Sequence, residues 1–245
     1  MSPSEKVKYI SNWIKSYVNN MPSKAEALVI GISGGIDSSV SSTLSAMTGL
    51  KTIVLSMPIK QKENQHDLSL KHQNWLLKKF KNVEAHTLNL DQLFNSFSST
   101  LNKFNNEHGF ANSRARLRMA TLYQVAAANK GIVVGTGNKV EDFGVGFYTK
   151  YGDGGVDISP IADCNKTEVW ELGKELGILK EIIDAPPTDG LWDDGRTDEG
   201  QLGFSYKDLE DAMKNPDSPH KTEYEKIRKQ NLHKMEPIPV CKIPS

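Results

Sequence analysis

Nine residues, Gly31 to Ser39, carry the densest chemical signal in this sequence: GISGGIDSS. The run joins an apolar stretch to the start of a helical one. A glycine turn in that place presents successive backbone N–H groups at the positive end of a helix, which makes an anion site. Gly31, Gly34 and Gly35 permit the tight turn and the close approach of backbone to ligand. Ser33, Ser38 and Ser39 add hydroxyl donors. Two familiar phosphate loops do not fit. The Walker pattern GxxxxGK[ST] needs a lysine, and none occurs between Lys24 and Lys51; the spacing of GxGxxG is also absent. Asp37 beside phosphates would repel them unless a cation lay between, and the simplest such cation is Mg²⁺. The plainer alternative is a strand–helix turn with Asp37 or Ser38 as N-cap. Two adjacent glycines, three serines and an aspartate behind an apolar strand favour phosphate.

Further along, Thr136 follows an apolar run directly and Glu141 lies five positions on. Alone, Glu141 reads as a solvated charge. With Asp37 it would complete a Mg²⁺ site that otherwise uses phosphate oxygens and water. Lys166 starts a helical stretch, where a cation is disfavoured by the helix dipole; a nearby phosphate would explain it, and a solvated lysine is the bland reading. Arg114, Arg116 and Arg118 share one helix, and periodicity does not select among them. Asp153 and Asp157 sit in a glycine-rich stretch where aspartate is common for turn reasons. His233 and Lys234 read by themselves as surface charges, and the seven acids among residues 181–200 as a solvated loop.

The elements that must position these residues alternate. Apolar runs at 27–33, 52–58 and 131–136 and an alternating run at 84–90 read as strands. Helical periodicity covers 4–19, 37–47, 63–80, 91–105, 112–129, 166–176, 206–213 and 219–235. The result is α/β: a doubly wound parallel sheet with helices on both faces, ligands lying at the carboxyl ends of the strands. A βα core at about 25–140 is followed, at about 141–245, by C-terminal helices and two loops expected to be mobile, 144–157 and 186–204. No linker composition divides the chain, so a single domain over 1–245 is expected.

The 245 residues hold 30 basic and 30 acidic side chains, so no global basic field for nucleic acid exists. Two distant cysteines, Cys164 and Cys241, fit reduced thiols, and no zinc spacing is present. No apolar run approaches a membrane span and the first residues lack an apolar signal core, so a cytoplasmic protein is expected.

SGGIDSS resembles the SGGxDS loop of the N-type ATP pyrophosphatases, which break ATP between the α and β phosphates. The stretches GTGNKVED, FYTKYGDGGVDISP, NKTEV, NSRARLRM (112–119), APPTDGLW (185–192) and HKM (233–235) resemble ammonia-dependent NAD synthetases, in order and over most of the chain. The resemblance implies an adenine nucleotide alpha hydrolase-like fold and a C–N ligase that makes NAD, AMP and pyrophosphate from deamido-NAD, ATP and ammonia through an acyl-adenylate. It implies ATP contacts from Gly31, Ile32, Ser33, Gly34, Gly35, Ile36, Asp37, Ser38, Thr136, Lys166 and Thr188. It places Mg²⁺ on Asp37 and Glu141, and deamido-NAD on Arg116, Lys150, Asp157, His233 and Lys234. Asp153 is implied near the incoming ammonia, and a homodimer with the site near its interface. The stretch from Glu141 to Lys150 is about one residue longer than the family pattern. Rival readings are another N-type pyrophosphatase, such as a tRNA-modifying enzyme, and a nucleotide sensor without turnover.

Overall fold

The computed structural model describes residues 1–60, 63–187 and 198–244. Four parallel strands form the sheet: β1 (Ala27–Gly31), β2 (Lys51–Ser56), β3 (Val83–Thr87) and β4 (Gly131–Val133), in the order β3-β2-β1-β4. Ala27 stands opposite Lys51 on one side and Gly131 on the other. The period of two along β1 divides the core. Leu28 and Ile30 face α1 (Pro3–Asn20), α2 (Ile36–Met47), α3 (Glu63–Lys79) and α6 (Lys166–Leu176). Ala27 and Val29 face α4 (Asp91–Thr100) and α5 (Glu107–Ala128). Helices therefore cover both faces, as the alternation of elements predicts.

Several boundaries differ from the sequence reading. Strand β4 is shorter, because Val134 leaves the ladder for a single bridge to Ile158, and β3 stops at Thr87, opposite the last residue of β2, Ser56. The helix expected over 91–105 divides into α4 and a 3-10 turn, Asn102–Phe104. The helix expected from 112 starts at Glu107, because Asn106 caps it by accepting the Gly109 N–H at 2.7 Å. An unanticipated π-helix, Lys139–Val145, contains Glu141. Short helices α7 (Lys180–Ile183) and α8 (Asp198–Leu202) precede α9 (Tyr206–Lys214) and α10 (Lys221–Met235). A third cluster, including Val140, Val145, Tyr206, Leu209 and Tyr224, packs these last helices on the π-helix.

Strands β2 and β3 continue from β1 in one direction and β4 lies on its other side. The carboxyl ends of β1 and β4 thus flank the switch point, where ligands of such sheets bind.

Helix α2 buries hydroxyls among apolar neighbours by returning them to its own carbonyls: Ser42 to Ser39 O, Thr43 to Ser39 O and Ser45 to Ser41 O. Ser42 Oγ also meets His72 Nε2 at 3.0 Å, and His72 stacks on Trp75. Burial pushes the His72 imidazole down to about 4, opposed only in part by the Ser39 backbone. An unfolded histidine titrates near 6.5. The unfolded chain therefore binds the proton first, and the stability contributed at His72 is complete above about pH 6.5 and lost as pH falls toward 4. Denaturant melts of wild type and His72→Gln at pH 7.5 and 4.5 should differ in their acid sensitivity, the wild type losing about 3 kcal/mol more.

Candidate active site

Beyond β1, the Ile32 N–H still bonds to Leu55 O at 2.8 Å; the chain then turns at Gly34, whose φ of 92° favours glycine. Ser38 Oγ lies 3.0 Å from Ser33 Oγ and donates to Gly35 O, and Ser39 Oγ also donates to Gly35 O. The serine hydroxyls thus shape the loop. Gly35 is the N-cap of α2, without a side chain to satisfy the first turn. The alternative of Asp37 or Ser38 as cap is overturned, and a helix start without a side-chain cap is one that could take an anion.

Asp37 stands in the first turn of α2, Glu141 in the π-helix and Lys166 at the first position of α6. Three distant segments bring them into contact. Lys166 Nζ donates to Asp37 Oδ2 at 2.5 Å and to Glu141 Oε1 at 2.9 Å. Lys166 is 1% exposed, Asp37 and Glu141 18% and 13%. The bland reading of Lys166 as a solvated residue is therefore wrong. Its cation at the positive end of α6 is accounted for by two carboxylates. Burial alone would depress the ammonium; the charges of Asp37 and Glu141 and their hydrogen bonds reverse that, and the net shift is upward. Lys166 is a cation at every working pH.

Asn138, fully buried, fixes this arrangement from behind. Its Nδ2 donates to Asp37 Oδ1 at 3.0 Å, and its Oδ1 accepts the N–H groups of Val140 and Glu141, each at 3.0 Å. Tyr206 adds a hydroxyl donated to Glu141 Oε1 at 2.5 Å, with its ring centroid 5.0 Å from Lys166 Nζ. Asp142, the next residue of the π-helix, lays its carboxyl against Gly137, where a side chain would meet Asp142 Oδ2 at 1.9 Å. Burial first, then the charges of Asp153, Glu141 and Asp37, raise the Asp142 carboxyl well above its ordinary range. Sequence reasoning missed Asn138, Asp142 and Tyr206. The first two flank Glu141 in GTGNKVED, where adjacency to a carboxylate was the available signal. Tyr206 had none, being one more apolar position of an amphipathic helix.

Chemically, the cluster joins an anion-binding helix end to two carboxylates that share one cation. Carboxylate pairs of this kind suit a hard divalent ion completed by phosphate oxygens and water. Among the described residues no group of three or more His, Cys, Asp or Glu gathers as a metal cage.

The NAD synthase family profile matches residues 6–243. An NH3-dependent NAD+ synthetase of Carboxydothermus hydrogenoformans is 37% identical over 212 residues, 84% of this chain and 83% of that protein. One of Alkaliphilus oremlandii is 36% identical over 249 residues, 96% and 95% of the two chains. This chain belongs to the NAD synthase family. Among solved structures, an NMN synthetase of Francisella tularensis is 33% identical with a TM-score of 0.91, over 99% of this chain and all of that one. The NH3-dependent NAD synthetase of Campylobacter jejuni, at 23% identity and a TM-score of 0.79, shares the fold. The fold is that of the adenine nucleotide alpha hydrolase-like α/β proteins.

The other residues that the family resemblance singles out lie at several places around the cluster. Thr136 is half-buried just past β4. The stretch 144–157 is more tightly bonded than its glycine content implies. Asp153 Oδ1 accepts the Thr149 N–H at 3.0 Å, and turns close at Gly152 and Gly155. Arg116 is exposed and its Nε donates to Lys150 O at 3.2 Å. Arg118 instead bonds Met57 O, and Arg114 lies over Phe94, so the structure distinguishes the three arginines where periodicity did not. Asp157 is engaged by the fold itself, accepting from Tyr123 Oη at 3.0 Å and the Val133 N–H at 2.7 Å.

Lys234 is not a free surface charge. It donates to Tyr148 O at 2.8 Å while Tyr148 Oη donates to Lys234 O at 2.7 Å. Burial lowers its ammonium, against the opposing charges of Asp153 and Asp142, so it faces the acidic side of the cluster. His233 is exposed beside it. Thr188 lies outside the described residues.

Proposed function

We propose that this chain is an ammonia-dependent NAD synthetase, a ligase that amidates deamido-NAD with ammonia and consumes ATP. Family membership over residues 6–243 supports the reaction. The observation that carries the site is the meeting of Asp37, Glu141 and Lys166 beside an uncapped helix end at the switch point.

The nicotinate carboxylate is a poor acylating group, because its leaving group would be oxide. Its oxygen attacks the ATP α phosphorus and the bond to the β phosphate breaks, giving acyl-adenylate and pyrophosphate. Backbone N–H groups from Gly34 to Ser38 hold the pyrophosphate. Lys166 gives up its contacts with Asp37 and Glu141 for the phosphates, where its charge opposes the one that develops. Asp37 and Glu141 would hold Mg²⁺, which when bound would neutralise charge on the phosphates. Thr136, Thr188 and residues Gly31 to Ser38 complete the ATP contacts. Arg116, Lys150, Asp157, His233 and Lys234 bind deamido-NAD. Ammonia then adds to the activated carbonyl and AMP leaves, while Asp153 takes the proton that the nitrogen sheds.

The whole chain is one domain in this reading, working as a cytoplasmic homodimer with the site near the interface. No described helix is long and apolar enough to cross a membrane.

Incubation with ATP, Mg²⁺, ammonium and deamido-NAD should yield NAD, AMP and pyrophosphate in equal amounts. ADP in place of AMP, or no NAD, refutes the assignment. A second reading has its own support in the full-length likeness to the NMN synthetase of Francisella tularensis. The same chemistry would amidate the mononucleotide. Supplying both acids in one vessel decides between them by which amide accumulates first.

A further inference from the structure

Glu141 has a second partner besides Lys166, and it comes from the far end of the chain. Tyr206 is the first residue of α9 and is 1% exposed. Its hydroxyl donates to the same Glu141 oxygen that accepts from Lys166, and its ring stands behind the Lys166 ammonium. The ring itself is held edge-on by Trp170 of α6. Helix α9 is pinned at a second point one residue from Lys166. Glu210 accepts the Thr167 N–H at 2.9 Å and the Thr167 hydroxyl at 2.7 Å, capping the start of α6. Ser205 caps α9 in turn, and Glu199 accepts the Tyr206 N–H. Two contacts from one helix thus converge on the two elements that carry Glu141 and Lys166.

We propose that Tyr206 is a positioning residue for the ligase reaction, fixing the Glu141 carboxylate and backing Lys166 so that α9 sets the metal–nucleotide site. The proposal rests on the reading of Asp37 and Glu141 as metal ligands. A phenol donating to a carboxylate makes a charge-assisted bond that restricts which oxygen lone pairs remain for a cation. Removal of such an outer partner typically lowers metal affinity or activity about 10–100-fold. The bland account is a buried aromatic whose hydroxyl merely needs an acceptor. That account predicts a change in thermal stability and none in metal dependence.

The test uses the full chain with Mn²⁺ as a spectroscopic probe. Free Mn²⁺ is followed by electron paramagnetic resonance in the presence of ATP, for wild type, Tyr206→Phe and Asp37→Asn. Tyr206→Phe keeps the ring and its packing, and is expected to bind Mn²⁺ with ATP about 10-fold more weakly than wild type. Its KM for Mg²⁺ in turnover should rise in parallel, more than its kcat falls. Wild-type affinity and wild-type Mg²⁺ dependence in Tyr206→Phe, with Asp37→Asn impaired, overturn the role of Tyr206 alone. Equal binding by wild type and Asp37→Asn removes the metal reading, and this proposal with it. A measurement on the intact side chain covers the case in which Tyr206→Phe folds poorly. In chain labelled with 3-fluorotyrosine, the Tyr206 fluorine resonance should shift when ATP and Mg²⁺ are added together. A resonance that stays in place refutes the proposal.

Discussion

Lys166→Met is expected to reduce NAD formation at least about 1,000-fold and to destabilise the fold by about 3 kcal/mol. Methionine nearly matches the lysine stem in length and fits the apolar surroundings of α6, so volume is not the cause. Asp37 and Glu141 lose an ammonium that bonds to both, at 2.5 and 2.9 Å, in a site where they are mostly screened from water. Removing one side of a buried ion pair leaves the other charges without compensation, which costs about 3–5 kcal/mol. The partial exposure of both carboxylates places the expected loss at the low end. In a domain of this size that is a melting point lower by about 6–12 °C. Millimolar Mg²⁺ should restore much of the stability of Lys166→Met, because the carboxylates then have another cation, and should not restore turnover.

Activity measured as AMP release and stability from denaturant melts separate the two effects. Unchanged AMP release would remove Lys166 from the mechanism. The pH response has a definite sign. The folded Lys166 ammonium is raised above its ordinary 10.5, so its contribution to stability is complete below 10.5 and disappears only as pH rises through the folded value. Between pH 6 and 9 the Lys166 ammonium should stay charged.

Asp37→Asn should lower adenylation about 100- to 1,000-fold, read as ATP–pyrophosphate exchange in the absence of ammonium. The sequence alone invites the simpler substitution Asp37→Ala, with the fold left intact. The structure argues against that expectation. Asp37 Oδ1 accepts from the fully buried Asn138, and Oδ2 from Lys166. Alanine would leave the buried Asn138 amide without that acceptor and Lys166 with Glu141 alone, a loss of about 1–3 kcal/mol for the buried donor. Asparagine keeps an oxygen for Asn138 while removing the charge. Comparing the two variants therefore isolates the electrostatic contribution from the packing. Exchange within threefold of wild type in Asp37→Asn would exclude Asp37 from the chemistry.

How much of this was legible before folding differs from residue to residue. All four strands were located: β1, β2 and β4 by the short continuous apolar signal that burial on both faces leaves, and the edge strand β3 by alternation. The ends of β3 and β4 were not legible, since where a strand stops depends on what its neighbour offers as a partner. The π-helix at Lys139–Val145 was not legible in the local pattern.

The loop GISGGIDSS determined its own conformation and the helix-end amides it leaves without a side-chain cap, because these are local properties. It also posed the problem of an aspartate without a cation. Only the tertiary structure decided the answer. Lys166 lies 129 residues from Asp37, Glu141 is 25 from Lys166 and Tyr206 is 65 from Glu141. At each of those positions the local pattern reads as a surface charge or one more core aromatic. Charges become a site when burial removes water from between them, and burial is a property of the packed helices α2, α6 and α9 together rather than of any one segment.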